Sequence, residues 1–249
     1  MLRDKFKDTQ YFMNTTSFIL ENIDKEKKKI SRELNLRPIV FYGLANGLYS
    51  YIQRAYSLGI PVKDLLSPSK EMLHNYALSI QMNEDYSDGG ESIYNEDLAA
   101  VSICILLNTN EELKIYMDIL HKVNYRDYLL DFLFNYVQRH NSPINSPLIF
   151  DSYPSYQFLK KITQSKKSVA EVMMKEYLDN YYYTKKNLSR RYNTHKKMDN
   201  SYDGYWSFEA AAITKVMNLD DSRYINSPYY PKDMLHGDPA DYSFGSHII

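Results

Sequence analysis

The sequence predicts an all-α protein of about nine helices, in two packed helical subdomains with an irregular C-terminal tail. Apolar residues recur at three- and four-residue spacing along most of the chain, which is the period of an amphipathic helix. The 249 residues include only 8 glycines and 9 prolines, too few for the frequent turns of an all-β protein. No stretch shows the strict polar and apolar alternation that is typical of a half-buried strand.

Three helices are predicted at the N-terminal end. Residues 2–23 have the helical spacing of apolar side chains. A second helix begins near Pro38 and ends at Gly59-Ile60-Pro61, because proline cannot continue a helix and glycine caps one at low cost. Ser67 and Pro68 are typical of an N-cap and a first helical residue, so they predict the start of the third.

Capping signals predict three further helices. We expect Asn95 to cap a strongly apolar helix over residues 98–107. Residues 109–112 (Thr-Asn-Glu-Glu) and 168–171 (Ser-Val-Ala-Glu) both fit the capping box, in which a hydroxyl and a glutamate satisfy two free amides of the first turn. Each box therefore predicts a helix that begins there.

The remaining elements complete the predicted organisation. Residues 128–137 and 206–219 have helical spacing, and residues 226–249 are rich in Pro, Asp, Tyr and Gly, which favours an irregular tail packed on the helices. We place the boundary between the subdomains after residue 124. Residues 1–124 are then the N-terminal helical domain and residues 125–249 the C-terminal one.

Charge is distributed in blocks although the formal net charge is only −1. Residues 71–113 contain nine Asp or Glu and no Lys or Arg, whereas residues 158–198 contain eleven Lys or Arg and three acids. Blocks of one sign attract oppositely charged partners whatever the net charge. Either the blocks pair with each other inside the protein, or the central acidic block binds a basic partner. The candidate partner-binding residues of this acidic block are Glu84, Asp85, Asp88, Glu91, Glu96 and Asp97.

Patterns of catalytic or metal-binding residues are missing from the sequence. The six histidines lack metal-ligand spacing, and there is no Gly-rich phosphate loop or Gly-x-Ser-x-Gly elbow. Residues 85–96 partly resemble a calcium loop, but Gly89 occupies a position that needs an oxygen ligand. Cys104 lies in an apolar helix, which predicts a buried, inert thiol. We therefore expect no catalytic residue, metal or cofactor, and keep a metal-dependent hydrolase with dispersed carboxylates as an alternative.

A basic aromatic segment at residues 181–197 suggests a different partner. It interleaves six Lys or Arg with four tyrosines, which is a composition able to contact phosphate and stack on bases. The same pattern fits a helix whose tyrosines pack inward while its cations stay in water. Because the chain as a whole is not basic, we expect no direct nucleic-acid partner and keep a nucleic-acid-binding regulator as an alternative.

The cellular setting follows from three features. Residues 1–5 lack the apolar core of a signal peptide, and no stretch approaches the roughly 18 apolar residues of a membrane span. A single cysteine fits a reducing compartment. We expect a cytoplasmic protein without a membrane partner, whose oligomeric state the sequence does not specify.

The only tryptophan lies in residues 204–212, whose aromatic and small side chains are typical of a core helix start. Together with Leu219-Asp220-Asp221 and residues 229–235, this segment resembles the C-terminal domain of the PoNi immunity family. Upstream, Tyr177-Leu178 and His195-Lys196 fit the same pattern. The N-terminal half resembles the companion domain of the family more diffusely. The residues that carry this second resemblance are Arg3-Asp4-Lys5, Tyr56-Ser57-Leu58-Gly59 and the segments 98–107 and 127–135.

The resemblance implies a non-catalytic cytoplasmic protein of bacterial competition. PoNi proteins protect bacteria against their own PoNe DNase toxins, which are polymorphic toxins, so the expected partner is a cognate DNase. The resemblance implies neutralisation by stoichiometric occlusion, with the acidic block facing the toxin's basic DNA-binding surface. The residues of the motif itself are expected to determine the fold. They are Tyr205, Trp206, Phe208, Glu209, Tyr229, Tyr230 and Pro231.

Overall fold

The computed structural model describes residues 1–83, 91–139 and 143–238, without the side chains of Glu91, Ser92 and Arg190. These ranges contain eleven α-helices, nine of them seven residues or longer, and no strand, so the all-α prediction is confirmed. The helices are α1 (Thr9–Ile30), α2 (Pro38–Leu58), α3 (Leu66–Gln81), α4 (Glu91–Leu106), α5 (Asn110–Lys122), α6 (Tyr128–Gln138), α7 (Pro154–Thr163), α8 (Lys167–Glu176), α9 (Lys185–Leu188), α10 (Phe208–Met217) and α11 (Lys232–His236).

The N-terminal helix begins later than its apolar spacing predicts. The side chain of Asp8 accepts a hydrogen bond from the backbone amide of Tyr11 (2.8 Å), which fixes the start of α1 at Thr9. The residues before it are not helical. Helix α2 does begin at Pro38, and it ends at Gly59 in the left-handed conformation. Pro38 and Gly59 therefore mark the ends of α2 as predicted.

The predicted start of the third helix is wrong, because α3 begins at Leu66, so that Ser67 and Pro68 lie within its first turn and Ser67 does not cap it.

Both predicted capping boxes are wrong, although a helix begins at each. The hydroxyl of Thr109 donates to the carbonyl of Cys104 (3.2 Å) instead of accepting from the first turn of α5. Helix α8 has no side-chain cap, and the carboxylate of Glu171 accepts from the backbone amide of Asp220 (2.9 Å). In each case a tertiary contact takes the group that the local motif would have used.

The start of α4 also differs from the prediction. The helix begins at Glu91, so Asn95 lies within it and does not cap it. The side-chain oxygen of Asn95 instead accepts a hydrogen bond from the hydroxyl of Tyr156. At the other end, the ammonium group of Lys215 on α10 donates to the carbonyls of Ile105 (2.8 Å) and Leu106 (3.2 Å). A cation at a helix C-terminus satisfies free carbonyls and complements the helix dipole, so α10 is fixed against α4.

The core is built around α2, α3 and α4. Helix α1 packs on α2, α5 packs on α3, and α10 lies against α4. The largest fully buried side chains include nine tyrosines. Residues on both sides of position 124 contribute to one buried apolar cluster. The division into two domains at that position stays a prediction.

Three arginines join the two ends of the chain. The guanidinium of Arg54 forms an ion pair with Asp203 (2.6 Å) and donates to the carbonyls of Thr15 (3.0 Å) and Asn200 (2.8 Å). Its side chain is only 7% exposed. A buried charge is tolerated only when such partners replace its hydration, so Arg54 holds α1, α2 and the segment before α10 in one arrangement.

The other two arginines also connect residues that are distant in the sequence. Arg191 donates to the side-chain oxygen of Gln53 and to the carbonyl of Gly204, both at 2.6 Å. Arg3 forms an ion pair with Asp233 (2.6 Å), and its guanidinium lies 4.5 Å from the ring centre of Tyr56. Residues near the N-terminus are thereby joined to α11.

Gly204 is a point where this arrangement leaves no room for a side chain. Its φ is +115°, and an added Cβ would lie 2.5 Å from the hydroxyl of Ser57 and 2.5 Å from the indole nitrogen of Trp206. We expect Gly204→Ala to lower the free energy of unfolding by about 3 kcal/mol through backbone strain and overpacking. Urea unfolding followed by circular dichroism measures the loss.

Gly237→Ala is the matched control. Gly237 has a φ of +85° and no atom within 4 Å of an added Cβ, so only backbone strain, about 1 kcal/mol, is expected. Equal losses of unfolding free energy in the two variants would contradict the predicted overlap of an added Cβ at Gly204 with Ser57 and Trp206.

Candidate partner-binding surface

An open groove of about 400 Å³ lies between the start of α2, the end of α3 and the first turns of α4. We call it the α2–α4 groove. Its rim includes the exposed Arg37, and Asn83 lines it at the end of α3, immediately before the acidic block in the sequence. The groove walls are mainly apolar or aromatic. They are formed by Pro38, Ile39, Tyr42, Tyr76, Ile80 and Ile93.

Asp97 lines this groove and is buried, with 2% exposure. One carboxylate oxygen accepts a hydrogen bond from the hydroxyl of Tyr116 (2.6 Å). The pKa of Asp97 is raised to about 7, chiefly by burial and in addition by the neighbouring charge of Glu96, while hydrogen bonds from the hydroxyls of Tyr116 and Tyr125 lower it. A carboxylate that titrates near neutral pH is one whose charge the fold only partly stabilises.

Glu96 lies beside the same groove and is half-buried. It accepts a hydrogen bond from the hydroxyl of Tyr42 (2.6 Å), and Tyr42 forms part of the groove wall. Burial raises the pKa of Glu96, while hydrogen bonds from Tyr42 and Asn46 lower it. The two carboxylates thus share one partly desolvated region.

The six acidic residues predicted to bind a partner are placed differently from one another. Glu84, Asp85 and Asp88 lie outside the described residues, and Glu91 begins α4 with its side chain outside the description. Asp97 is a buried residue and not part of an exposed patch, because the inward face of α4 carries it. The role of the acidic block in partner binding stays a prediction.

Pairing of tyrosine hydroxyls with carboxylates recurs through the molecule, and sequence reasoning missed it. Each pair satisfies a carboxylate in or near the core with one hydroxyl donor. The only sequence signal was the count of 25 tyrosines. The pairs are Tyr202–Asp4 (2.5 Å), Tyr42–Glu96 (2.6 Å), Tyr116–Asp97 (2.6 Å), Tyr94–Asp127 (2.9 Å), Tyr177–Glu209 (2.9 Å) and Tyr230–Asp221 (3.0 Å).

The predicted motif residues pack in the interior. The indole nitrogen of Trp206 donates to the hydroxyl of Ser57 (2.8 Å), which ties the start of α10 to α2. The hydroxyl of Tyr205 lies 2.9 Å from Nδ1 of His195. The ring of Tyr229 stacks on that of Tyr183, with the ring centres 5.1 Å apart. Tyr229 itself is half-buried. The remaining members are buried: Phe208, Glu209, Tyr230 and Pro231.

The basic aromatic segment does not present its rings for base stacking. Tyr182 is buried, and the ring of Tyr181 stacks on Phe158 at 4.2 Å between centres. Arg191 is engaged with Gln53 and Gly204. Among the cations of this segment whose side chains are described, the exposed ones are Lys185, Lys186, Lys196 and Lys197. The inward packing of the tyrosines therefore weakens the nucleic-acid alternative.

The hydrolase alternative has one superficially suggestive cluster. His121 lies 3.1 Å from one oxygen of Asp131, and the hydroxyl of Ser146 donates to the other. Because Asp131 stands between them, the histidine does not contact the serine hydroxyl and cannot activate it as a general base in this arrangement. Burial raises the pKa of the Cys104 thiol to about 12, which leaves it protonated and unreactive.

Metal ligands and membrane spans were sought in the part of the chain that the structure describes. No group of three or more His, Cys, Asp or Glu is positioned there to hold a metal ion. No described helix combines the length and the apolar character needed to cross a bilayer.

The substitution Asp97→Asn tests whether the pKa of Asp97 is raised in the folded protein. Because folding raises the pKa of Asp97, the protonated carboxyl is the form that the folded state favours. The stabilisation from this group is complete below about pH 4, near its unfolded pKa, and is lost as the pH rises to about 7. The asparagine stays neutral and still accepts from Tyr116, so we expect its stability advantage over the wild type to grow by about 2 kcal/mol between pH 5 and pH 8. Urea unfolding at both pH values measures this difference.

Asp118→Asn on the exposed face of α5 provides the control, with no comparable pH-dependent advantage expected. An advantage of Asp97→Asn that stays constant from pH 5 to pH 8 would contradict the assignment.

Comparison with known proteins finds a family model that matches part of the C-terminal half. Residues 125–234 match the family described as PoNe immunity proteins (PoNi), C-terminal. The predicted resemblance is therefore confirmed over these residues, while the resemblance of the N-terminal half stays a prediction. A search of curated proteins gave no match.

The fold is shared with a solved structure. The crystal structure of protein PA2201 from Pseudomonas aeruginosa superposes with a TM-score of 0.72. The alignment covers 94% of this chain and 89% of that chain, at 14% sequence identity. At this identity the likeness concerns the fold alone.

Proposed function

We propose that this chain, which carries the C-terminal domain of the PoNi immunity proteins, binds a cognate DNase toxin and neutralises it by stoichiometric occlusion. The observation that carries the proposal is the family match over residues 125–234. Members of this family are immunity proteins against PoNe toxins. The protein would act without chemistry of its own, as a binding partner in the cytoplasm, where the DNA that the toxin attacks is found.

Electrostatics supports this choice of partner. A DNase must present a basic surface to the phosphate backbone of DNA. The segment 71–113 of this chain, with nine acids and no Lys or Arg, has the opposite charge. Carboxylates that meet the toxin's cations would accelerate association and block the surface that DNA requires. The acidic block is therefore the proposed contact for the DNA-binding face.

The described part of the chain suits an inhibitor that acts by occlusion. The arginine contacts and the shared apolar cluster join its two ends into one framework that could carry the contact surface. Co-expression tests the proposal in cells: the chain should restore growth of bacteria that produce the cognate nuclease, and the two proteins should co-purify. Failure of both rescue and co-purification would overturn the immunity function for that pair.

Charge reversal of four acids tests the contact surface. We expect their replacement by lysine to weaken toxin binding about tenfold or more, because attraction becomes repulsion at the proposed contact. Titration calorimetry with a cleavage-deficient toxin measures the affinity, and circular dichroism confirms folding. The four acids are Glu84, Asp85, Asp88 and Glu91.

A second quadruple variant makes the same change in net charge at exposed acids on other elements. Its affinity should fall clearly less. Equal affinities for both variants would remove the acidic block from the interface and leave only a general charge effect. The control acids are Glu21, Glu33, Asp64 and Asp118.

A further inference from the structure

We propose that the α2–α4 groove receives an arginine side chain of the toxin, with the guanidinium directed at Asp97 and Glu96. The inference rests on the proposed function, because it specifies the chemistry of one contact within that complex. It assigns a role to Glu96 and Asp97, the two members of the acidic block that the structure places at the groove.

The walls of the groove suit the aliphatic and planar parts of an arginine. Ile39 is 58% exposed at the groove, and Ile80 and Ile93 line it from α3 and α4. Apolar surface of this kind packs well against the methylene stem of a long basic side chain. Tyr42 and Tyr76 add two rings, and a guanidinium stacks favourably on such faces.

The two carboxylates supply the complementary charge. Asp97 is buried, and the hydroxyl of Tyr116 that donates to it is a neutral group. No described Lys or Arg forms an ion pair with Asp97 or Glu96, although ion pairs occur elsewhere on α1, α2 and α3. Arg37 lines the groove but stands exposed at the rim. A cation inside the groove would therefore relieve the repulsion between two adjacent, partly desolvated acids.

The geometry favours arginine over lysine. A volume of about 400 Å³ accommodates a large side chain. Arginine presents several donors in one plane and can contact a carboxylate with two parallel hydrogen bonds, whereas lysine offers a compact, strongly hydrated charge. A nuclease surface that binds DNA phosphates is rich in such side chains.

Two single substitutions test the proposal while they preserve the hydrogen bonds of the core. Asp97→Asn removes the charge but keeps an acceptor for Tyr116, and Ile39→Ser removes an exposed apolar wall. Binding to the purified cleavage-deficient toxin is measured by titration calorimetry. We expect each variant to bind about tenfold or more weakly, since each removes one half of the arginine's environment.

Matched controls separate the groove from general effects. Asp118→Asn removes the same charge from an exposed position on α5, and Ile115→Ser removes an isoleucine that is also 58% exposed. Both should bind within about twofold of the wild type, as substitutions outside an interface do.

The outcomes distinguish this proposal from the proposed function. Loss of affinity in both groove variants, with controls unchanged, supports it. If the wild type binds the toxin and both groove variants bind equally well, the arginine site is overturned and the immunity function stands. If the wild type binds no toxin, both the arginine site and the proposed immunity function are overturned for that pair.

Discussion

The constraint on which this structure depends is the satisfaction of carboxylates that the helices bury. Six carboxylates in or near the core receive a tyrosine hydroxyl, at oxygen–oxygen distances of 2.5–3.0 Å. A hydrogen bond to a charged group stabilises a folded protein by roughly 1.5–3 kcal/mol, and an unsatisfied buried charge costs more than that. Tyrosine meets the need because its ring packs in the core while its hydroxyl donates. Six of the 25 tyrosines serve in this way among the described residues.

The same constraint links the fold to the proposed contact surface. Most buried ionic groups here have several partners: Arg54 contacts a carboxylate and two carbonyls, and Asp127 accepts from two amides of α6 as well as from Tyr94. Asp97 differs, since burial raises its pKa to about 7 and it lines an open apolar groove. A group whose charge is incompletely stabilised in the free protein is well suited to gain from a cationic partner.

Sequence reasoning recovered the fold class because helical periodicity is a property of whole segments. Proline and glycine located the ends of α2 correctly, since their effects are local to the backbone. The capping boxes failed because Thr109 and Glu171 bond distant groups, and tertiary contacts of this kind leave no trace in a four-residue pattern. The acidic block was predicted to form one exposed surface, but Asp97 lies on the inward face of α4 and is buried. The run of acids in the sequence does not show which of them face inward. The motif around Trp206 was recognisable from the sequence, but its partner Ser57 lies 149 positions away.

A plasmid-cleavage titration can show whether the protein neutralises a nuclease stoichiometrically. The toxin is held at a fixed concentration well above the dissociation constant, and the purified protein is added in increments. If the protein blocks the toxin one to one, protection of the plasmid rises linearly and saturates near one molecule of protein per toxin. Continued cleavage at large excess of the protein would contradict it, and so would complete protection at a small fraction of one equivalent, because that result requires turnover and therefore an enzyme.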